Sequence, residues 1–242
     1  MTEIEIIKKY VPIEEQEEAI TRLNEGYPVQ YLVGNVEFYG NLIEVNENVL
    51  IPRFETEYLI EKTLNYLKKI KKDDFKILEI GTGSGCISIA LKKNLKATID
   101  AIDISKEAIK VATKNAINNK VNINFINEDI HDYICDIKYD LIISNPPYVP
   151  IGDDVDEKTK YEPQSAIFAE ENGLHFYKVI LEKIKNNLSK NYLIAFEIGD
   201  KEGTAIKNLA LQTLNNCYVK IEKDYNNFER YVFISDNKEI IL

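Results

Sequence analysis

The sequence predicts an α/β protein with a doubly wound, mostly parallel β-sheet, and three observations support this prediction. Residues 76–235 alternate apolar runs of strand length with helical segments. One of these runs ends in a glycine-rich turn that begins a helix. The chain has 242 residues, of which 45% are hydrophobic, so it can bury one sizeable core and a small appendage. Strands that are separated by helices connect through right-handed crossovers, which gives a parallel sheet covered on both faces.

Seven apolar runs predict the strands of this sheet. Five should be parallel, because a helix or a long connection separates most of them: KILEIG (76–81), ATIDAIDIS (97–105), INFINED (123–129), YDLIISN (139–145) and NYLIAFEIG (191–199). Helices are predicted at 85–93, 106–119 and 174–188, with another one before residue 217. The last two runs, CYVKIEKD (217–224) and RYVFIS (230–235), lie close together in sequence. We therefore expect an antiparallel hairpin, and with it an antiparallel edge strand.

The N-terminal residues 1–51 have a different texture and are predicted to form a short region ahead of the main domain at 52–242. Residues 1–26 are acid-rich, and their apolar positions fall near helical spacing. In residues 27–51 glycines interrupt short apolar runs, which predicts a β-hairpin with Asn-rich turns. An amphipathic helix is predicted over 54–70.

The net charge of −10 and the pI near 4.9 argue against a nucleic-acid partner. A protein that binds a phosphate backbone normally presents clustered Lys and Arg side chains. We therefore expect no direct contact with nucleic acid, and we favour a protein or small-molecule substrate. No apolar run approaches the roughly 18 residues that span a bilayer, and the N terminus lacks the pattern of a signal peptide. The sequence predicts a cytoplasmic protein without a membrane partner, and we expect a monomer.

Cysteine and histidine usage predicts neither a metal site nor a disulfide. The three cysteines, Cys86, Cys135 and Cys217, lie far apart and form no C-x-x-C pair. The only histidines, His131 and His175, belong to different predicted elements and show no metal-ligand spacing. We expect both histidines to be structural or surface residues.

The segment E-I-G-T-G-S-G (79–85) lies where the first predicted strand turns into the first helix. Glycines at such a turn let the backbone adopt positive φ and approach a ligand closely. The G-x-G-x-G spacing differs from the dinucleotide pattern, and no Lys-Ser/Thr follows, so a P-loop is excluded. The loop residues expected to contact a cofactor are Gly81, Thr82, Gly83, Ser84 and Gly85.

Three further side chains extend this candidate site along the same sheet edge. Asp103 ends the second strand about 20 residues after the glycines, where a carboxylate accepts hydrogen bonds from two ribose hydroxyls. Asp129 and Ile130 lie at the end of the third strand and would flank an adenine. This Rossmann-like arrangement suits either a nicotinamide cofactor or S-adenosylmethionine.

The fourth predicted strand ends in Asn145-Pro146-Pro147-Tyr148, which we interpret as the catalytic turn. Two prolines fix φ and remove two amide donors, so the turn is stiff and offers carbonyl acceptors. The Asn145 side-chain oxygen and the Pro146 carbonyl can accept both hydrogens of one –NH₂ group, while Tyr148 offers a flat face for stacking. A planar amide or aniline-type nitrogen needs such positioning because its lone pair is delocalised. The pattern predicts methyl transfer from S-adenosylmethionine to such a nitrogen.

Five segments resemble the bacterial release factor glutamine methyltransferases. They are YLVGNVEFYG (31–40), VLIPRFETEYLIE (49–61), EIGTGSGCISIAL (79–91), SNPPYVP (144–150) and YEPQSAIFAEENGLHFYKVI (161–180), and the resemblance extends over roughly residues 27–235. Many methyltransferases share the glycine motif, whereas P-R-F-E-T-E combined with N-P-P-Y is far more specific. The sequence departs from the family's usual pattern at Phe54 (usually Pro), at Ile130 (often Trp), and in having only about 26 residues before the hairpin.

The resemblance implies N5-methylation of the glutamine in the Gly-Gly-Gln motif of peptide chain release factors. S-adenosyl-L-methionine would be the cofactor and S-adenosyl-L-homocysteine the product. It also implies that residues 81–85, Asp103, the 129–130 pair and Asn145 bind the cofactor, that Asn145 to Tyr148 hold the glutamine, and that the N-terminal region recognises the release factor.

Three alternatives stay open at the level of sequence. A DNA or RNA amino-methyltransferase would act on adenine N6 or guanine N2, which are also planar –NH₂ groups. A related family methylates a glutamine of a ribosomal protein and shares N-P-P-Y, but it diverges around P-R-F-E-T-E. A regulatory module that binds cofactor without catalysis is disfavoured by the intact N-P-P-Y.

Overall fold

The computed structural model describes residues 1–242, which form nine α-helices and eleven β-strands. The helices are α1 (Glu3–Tyr10), α2 (Gln16–Asn24), α3 (Val29–Val33), α4 (Phe54–Leu67), α5 (Cys86–Asn94), α6 (Lys106–Asn118), α7 (His175–Ile184), α8 (Gly203–Thr213) and α9 (Lys238–Ile241). The strands are β1 (Asn35–Phe38), β2 (Asn41–Glu44), β3 (Phe75–Ile80), β4 (Ala97–Asp103), β5 (Asn124–Asn127), β6 (Tyr139–Ser144), β7 (Val149–Pro150), β8 (Phe168–Ala169), β9 (Leu188–Glu197), β10 (Tyr218–Lys223) and β11 (Glu229–Ser235). None of the helices has the length and apolar character needed to cross a bilayer.

Seven strands form one sheet in the order β10-β11-β9-β6-β3-β4-β5. All pairs from β9 to β5 are parallel, as predicted. The predicted antiparallel hairpin is β10–β11, and it occupies the edge of the sheet beside β9. Within it, β11 is the strand that runs against the others, and it lies between β9 and the outermost strand β10. The doubly wound α/β fold predicted from the sequence is therefore confirmed.

The core has two apolar layers, one on each face of the sheet. Side chains that alternate along the central strands point to opposite faces, because a strand has a period of two residues. Ile77 and Leu141 belong to the layer beneath α4 and α5, whereas Leu78 and Ile142 belong to the layer beneath α7 and α8. Because both faces of the central strands are buried, these strands read as continuous apolar runs, as is typical of parallel sheets.

The N-terminal residues form three short helices and the predicted hairpin. A small apolar cluster joins α1, α2 and α3. The hairpin turn is Tyr39-Gly40, with φ of 48° and 71°, which is the left-handed pair that a two-residue turn requires. The Asn-rich segment that the sequence suggested as a turn instead follows β2, and residues 29–33 form the short helix α3.

The hairpin packs against the main sheet domain through the buried side chain of Asn115 on α6. Asn115 Oδ1 accepts a hydrogen bond from the Glu44 amide at 2.8 Å, and its Nδ2 donates to the carbonyls of Glu44 and Ser84, both at 2.9 Å. Phe38 and Ile43 of the hairpin belong to the larger of the two core layers. These contacts bring residues 48–53 to the carboxyl edge of the sheet, beside the glycine loop.

Candidate active site

A cavity of about 330 Å³ lies at the carboxyl ends of β3, β4 and β6. This is where open α/β sheets bind ligands, and the volume is typical of a small-molecule site. Its walls come mainly from residues 48–53, the glycine loop, residues 102–105, residues 128–131, the Asn145 turn, residues 163–166 and the helix α7. The structure thus brings together side chains that the sequence placed on separate strands.

The glycine loop has the backbone that the sequence predicts. Gly81, Gly83 and Gly85 all have positive φ, at 72°, 54° and 80°. A Cβ at Gly83 would have no neighbour within 4 Å, so the open space beside it is available to a ligand. A Cβ at Gly85 would lie 3.1 Å from the Ala112 Cβ, so this glycine permits the close packing of the loop on α6.

This difference between two glycines predicts unequal costs of substitution. Gly83→Ala and Gly85→Ala should each lose about 1–2 kcal/mol of unfolding free energy, because alanine is strained at positive φ. Gly85→Ala should lose more, since its methyl group also forces α6 away from the loop. Urea unfolding followed by circular dichroism measures both variants. Equal losses would contradict the packing role of Gly85.

Glu79, at the end of β3, holds the glycine loop from beneath. Its carboxylate is buried, accepts hydrogen bonds from the Thr82 hydroxyl at 2.9 Å and the Ser88 amide at 3.1 Å, and also accepts one from the Ser88 hydroxyl. Burial raises the pKa of Glu79 to about 7. Glu79 belongs to the glycine motif, but the sequence alone indicated no role for it. The structure shows that it ties the loop to the start of α5.

Asp103 faces the loop from the end of β4. Its two carboxylate oxygens accept hydrogen bonds from the amides of Gly83 and Ser105, both at 2.8 Å. Burial raises the pKa of Asp103 above its usual value. Each carboxylate oxygen has two acceptor sites, so both oxygens keep one for a ligand hydroxyl. Asp103 lines the cavity, as the sequence predicted.

The 129–130 pair lines the cavity beside His131. Ile130 is buried and contributes apolar wall. Asp129 accepts hydrogen bonds from the amide and the ring Nδ1 of His131, at 2.9 and 2.7 Å. The His131 Nε2 lies 3.1 Å from the Nε2 of His175. The sequence gave no reason to place the two histidines together, and His131 lines the cavity.

The N-P-P-Y turn is divided between two cavities. Asn145, Pro146 and Pro147 line the first cavity, next to the glycine loop. Tyr148 instead lines a neighbouring cavity of about 430 Å³, together with Arg230, and it packs against the core layer under α7 and α8. The turn is therefore the wall that the two cavities share.

Two pairs of polar contacts fix the surroundings of Asn145. Its Nδ2 donates to the Thr56 hydroxyl at 3.2 Å, and that hydroxyl donates to a Glu197 carboxylate oxygen at 2.7 Å. One residue before α4, the Arg53 guanidinium pairs with the buried Glu162 carboxylate at 2.6 Å, and Glu162 also accepts from the Ile51 amide. The sequence alone assigned no role to Arg53, Thr56 or Glu162, and it left open whether Glu197 faces the active cleft or pairs with the backbone at the strand end. The one available signal was that they occur in the segments 49–61, 161–180 and 191–199.

Comparisons with known proteins agree with this arrangement. Residues 59–167 match the family model "Methyltransferase small domain". A release factor glutamine methyltransferase of Lactococcus lactis is 40% identical over 221 residues, which are 90% of this chain and 80% of that protein. Proteins of the same description from Flavobacterium psychrophilum and Fusobacterium nucleatum are 40% and 39% identical, and the match covers 79% and 62% of their lengths. This chain belongs to the release factor glutamine methyltransferase family.

Solved structures of other methyltransferases share the fold of this family member. A Pyrococcus furiosus methyltransferase superposes with a TM-score of 0.61 at 20% identity, covering 81% of this chain and 88% of that one. A Thermus thermophilus 16S rRNA N2 G1207 methyltransferase, solved with AdoMet and guanosine, superposes with a TM-score of 0.62 at 12% identity, covering 84% and 50%. At such identities the similarity establishes the fold alone. The family assignment rests on the closer sequence relatives.

Proposed function

We propose that this protein transfers the methyl group of S-adenosyl-L-methionine to the side-chain amide nitrogen of the glutamine in the Gly-Gly-Gln motif of peptide chain release factors. The observation that carries the proposal is the Asn145-Pro146-Pro147 turn in the wall of a cavity of cofactor size, beside a glycine loop and Asp103. Family membership supplies the class of substrate. The proposal includes a cytoplasmic location, since the acceptor is a translation factor, and a monomeric enzyme.

The residues around the cavity fit S-adenosylmethionine. Asp103 keeps free acceptor sites for the two ribose hydroxyls, and the positive-φ glycines leave open space for the amino-acid part. Ile130 and Phe176 give the adenine end an apolar wall, and Asp129 lies beside it for the exocyclic amine. When bound, the cofactor supplies an electrophilic methyl group on a sulfonium ion. Asn145 lines the same cavity as the glycine loop.

The Asn145 turn positions the glutamine amide for attack. We assign the Asn145 Oδ1 and the Pro146 carbonyl as acceptors for the two amide hydrogens. With both hydrogens held, the nitrogen keeps its lone pair directed into the cavity, and charge that develops on the –NH₂ group is stabilised by two fixed dipoles. No strong base is required, because the proton can leave after the new N–C bond forms. Glu79 and Glu197 do not line the cavity. This agrees with a mechanism in which the turn positions the amide and no carboxylate acts as a base.

Tyr148 completes the proposed acceptor site from the side of the neighbouring cavity. Its ring follows the two prolines directly and lies near Arg230. We propose that the ring packs against the glutamine or the adjacent glycine backbone as the substrate loop enters. The flat face of an aromatic ring suits a planar amide or a bare backbone.

Asp103→Ala tests the cofactor assignment. The variant should bind S-adenosylmethionine at least about tenfold more weakly, because hydrogen bonds to a charged acceptor are worth roughly 1.5–3 kcal/mol each. Isothermal titration calorimetry measures the dissociation constant, and a thermal melt shows that the fold survives the loss of the Gly83 and Ser105 contacts. Unchanged binding in a folded variant would refute the ribose assignment.

A further inference from the structure

Three side chains form a chain of hydrogen bonds directly behind the catalytic turn. Asn145 Nδ2 donates to Thr56 Oγ1 at 3.2 Å, and Thr56 Oγ1 donates to Glu197 Oε2 at 2.7 Å. Thr56 is 2% exposed and Glu197 1% exposed, so both groups are shielded from bulk solvent. The three residues lie on separate elements, at the end of β6, in the first turn of α4 and at the end of β9. We call them the Asn145–Thr56–Glu197 relay.

The number of hydrogens available in the relay determines which atom donates and which accepts in each hydrogen bond. An ionised carboxylate can only accept, so the single proton of the Thr56 hydroxyl must point to Glu197. The hydroxyl oxygen then has only acceptor sites left, and it must receive a hydrogen from Asn145. The –NH₂ half of the Asn145 amide therefore faces Thr56, and the carbonyl half, Oδ1, is the half that remains for the cavity.

We propose that Thr56 and ionised Glu197 hold the Asn145 amide in the one orientation that can accept a hydrogen from the substrate –NH₂ group, which makes Thr56 a positioning residue for methyl transfer. This inference rests on the proposed function, in which Asn145 Oδ1 is an acceptor. With the amide rotated by 180°, Asn145 would present its own –NH₂ to the substrate –NH₂. Two donors would then face each other, and the substrate nitrogen would be misplaced.

Protonation of Glu197 reverses the donor and acceptor roles in the relay. A protonated carboxyl can donate to the Thr56 oxygen, which frees the Thr56 proton to point to Asn145 and favours the rotated amide. Burial raises the pKa of Glu197 to about 7. Because the ionised form is the competent one, kcat should be full above this pKa and should fall as the pH decreases through about 7.

Other titratable and charged groups surround Glu197 from every packed element. They are Arg53 and Glu55 at the start of α4, Cys86 on α5, Tyr148 after β6, Tyr177 on α7, and Arg230 and Tyr231 on β11. Burial raises the pKa of the tyrosines and of Cys86, so these groups stay neutral between pH 6 and 8. Burial also raises the pKa of Glu79 and of Glu202 to about 7. A midpoint near pH 7 in the kcat profile therefore does not identify Glu197 by itself, and variants are needed to assign it.

Thr56→Val tests the relay, with Thr63→Val as the matched control. Both threonines are buried on α4, but the Thr63 hydroxyl has no hydrogen-bond partner. At pH 8 with release factor as substrate, Thr56→Val should lower kcat at least tenfold, while the dissociation constant of S-adenosylmethionine changes less than threefold. Thr56→Ser, which restores the hydroxyl, should stay within about threefold of wild type, as should Thr63→Val. Wild-type turnover by Thr56→Val would overturn the proposal.

Glu197→Gln tests the titration, because glutamine has nearly the same shape and does not ionise. Wild-type kcat, measured at saturating cofactor, should fall toward about a tenth for each pH unit below 7. The variant should have a flat profile from pH 6 to 8.5. If Glu197→Gln keeps the acid limb of the wild type, another group titrates and the relay is refuted.

The relay can also be observed without any turnover. The side-chain amide signals of Asn145 in a ¹⁵N–¹H spectrum can be assigned by their absence in Asn145→Ala. They should shift with a midpoint near pH 7 in the wild type and should not titrate in Glu197→Gln. Signals that do not move in the wild type would overturn the proposal. A wild-type enzyme that leaves release factor unmethylated while these signals titrate would instead refute the proposed substrate and leave the relay in place.

Discussion

Asn145→Ala is expected to reduce kcat for methyl transfer by about 100- to 1,000-fold, the range measured when one preorganised polar group is removed from a reacting centre. The variant loses the side-chain acceptor that positions the substrate nitrogen, whereas the Pro146 carbonyl remains. Most of the cofactor contacts assigned to the glycine loop and to Asp103 are untouched. The dissociation constant of S-adenosylmethionine should therefore change only a few fold. Single-turnover kinetics with release factor, together with calorimetry, separates the two effects.

Asn48→Ala is the control for this experiment. Asn48 lines the same cavity with a side chain of the same type, but its hydrogen bonds go to Asn46 and not to the relay. Its removal should leave kcat within about threefold of wild type. If Asn145→Ala retains turnover within a few fold of wild type, Asn145 does not have the role assigned here.

The second large effect concerns the substrate. Intact release factor should be methylated, and replacement of the glutamine in its Gly-Gly-Gln motif by Glu or Ala should abolish methylation. Glutamate lacks the two amide hydrogens that Asn145 and Pro146 would accept, and alanine lacks the group altogether. Mass spectrometry of the release factor after incubation with enzyme and S-adenosylmethionine measures this directly. The glycines beside the glutamine let the backbone enter a narrow cleft that a bulkier neighbour would block.

Two further substrates define the boundaries of this activity. Duplex DNA and ribosomal RNA should not be methylated, because a protein with a net charge of −10 repels a phosphate backbone at long range. A short Gly-Gly-Gln peptide should react poorly, since contacts away from the reacting centre supply part of the positioning. Efficient methylation of a nucleic acid, with release factor left unmodified, would refute the proposed function.

Much of the fold and part of the site could be predicted from the sequence, because the signals are local. The alternation of apolar runs and helices determined the parallel sheet, and the closeness of β10 and β11 determined their hairpin. The glycine spacing at residues 81–85 required a turn with positive φ, which the structure has at all three glycines. Asp103 is the last residue of β4, and Asn145 directly follows β6. Since parallel strands end at one edge, their position on the strand was enough to bring them to one cavity.

The tertiary structure alone decided which side chains support the N-P-P-Y turn. Thr56 lies 89 residues from Asn145 and 141 residues from Glu197, and no local pattern encodes contacts of that range. The same holds for the Arg53–Glu162 pair and for the two histidines that meet at 3.1 Å. The side of the wall to which Tyr148 belongs was also undecided by sequence. The position of Tyr148 depends on the segment after the prolines, in which β7 pairs with β8. With this pairing Tyr148 lines the neighbouring cavity. Local sequence determines which backbone a segment can adopt, whereas the packing of distant segments determines which polar groups meet, and in this protein that second step orients the side chain we assign to catalysis.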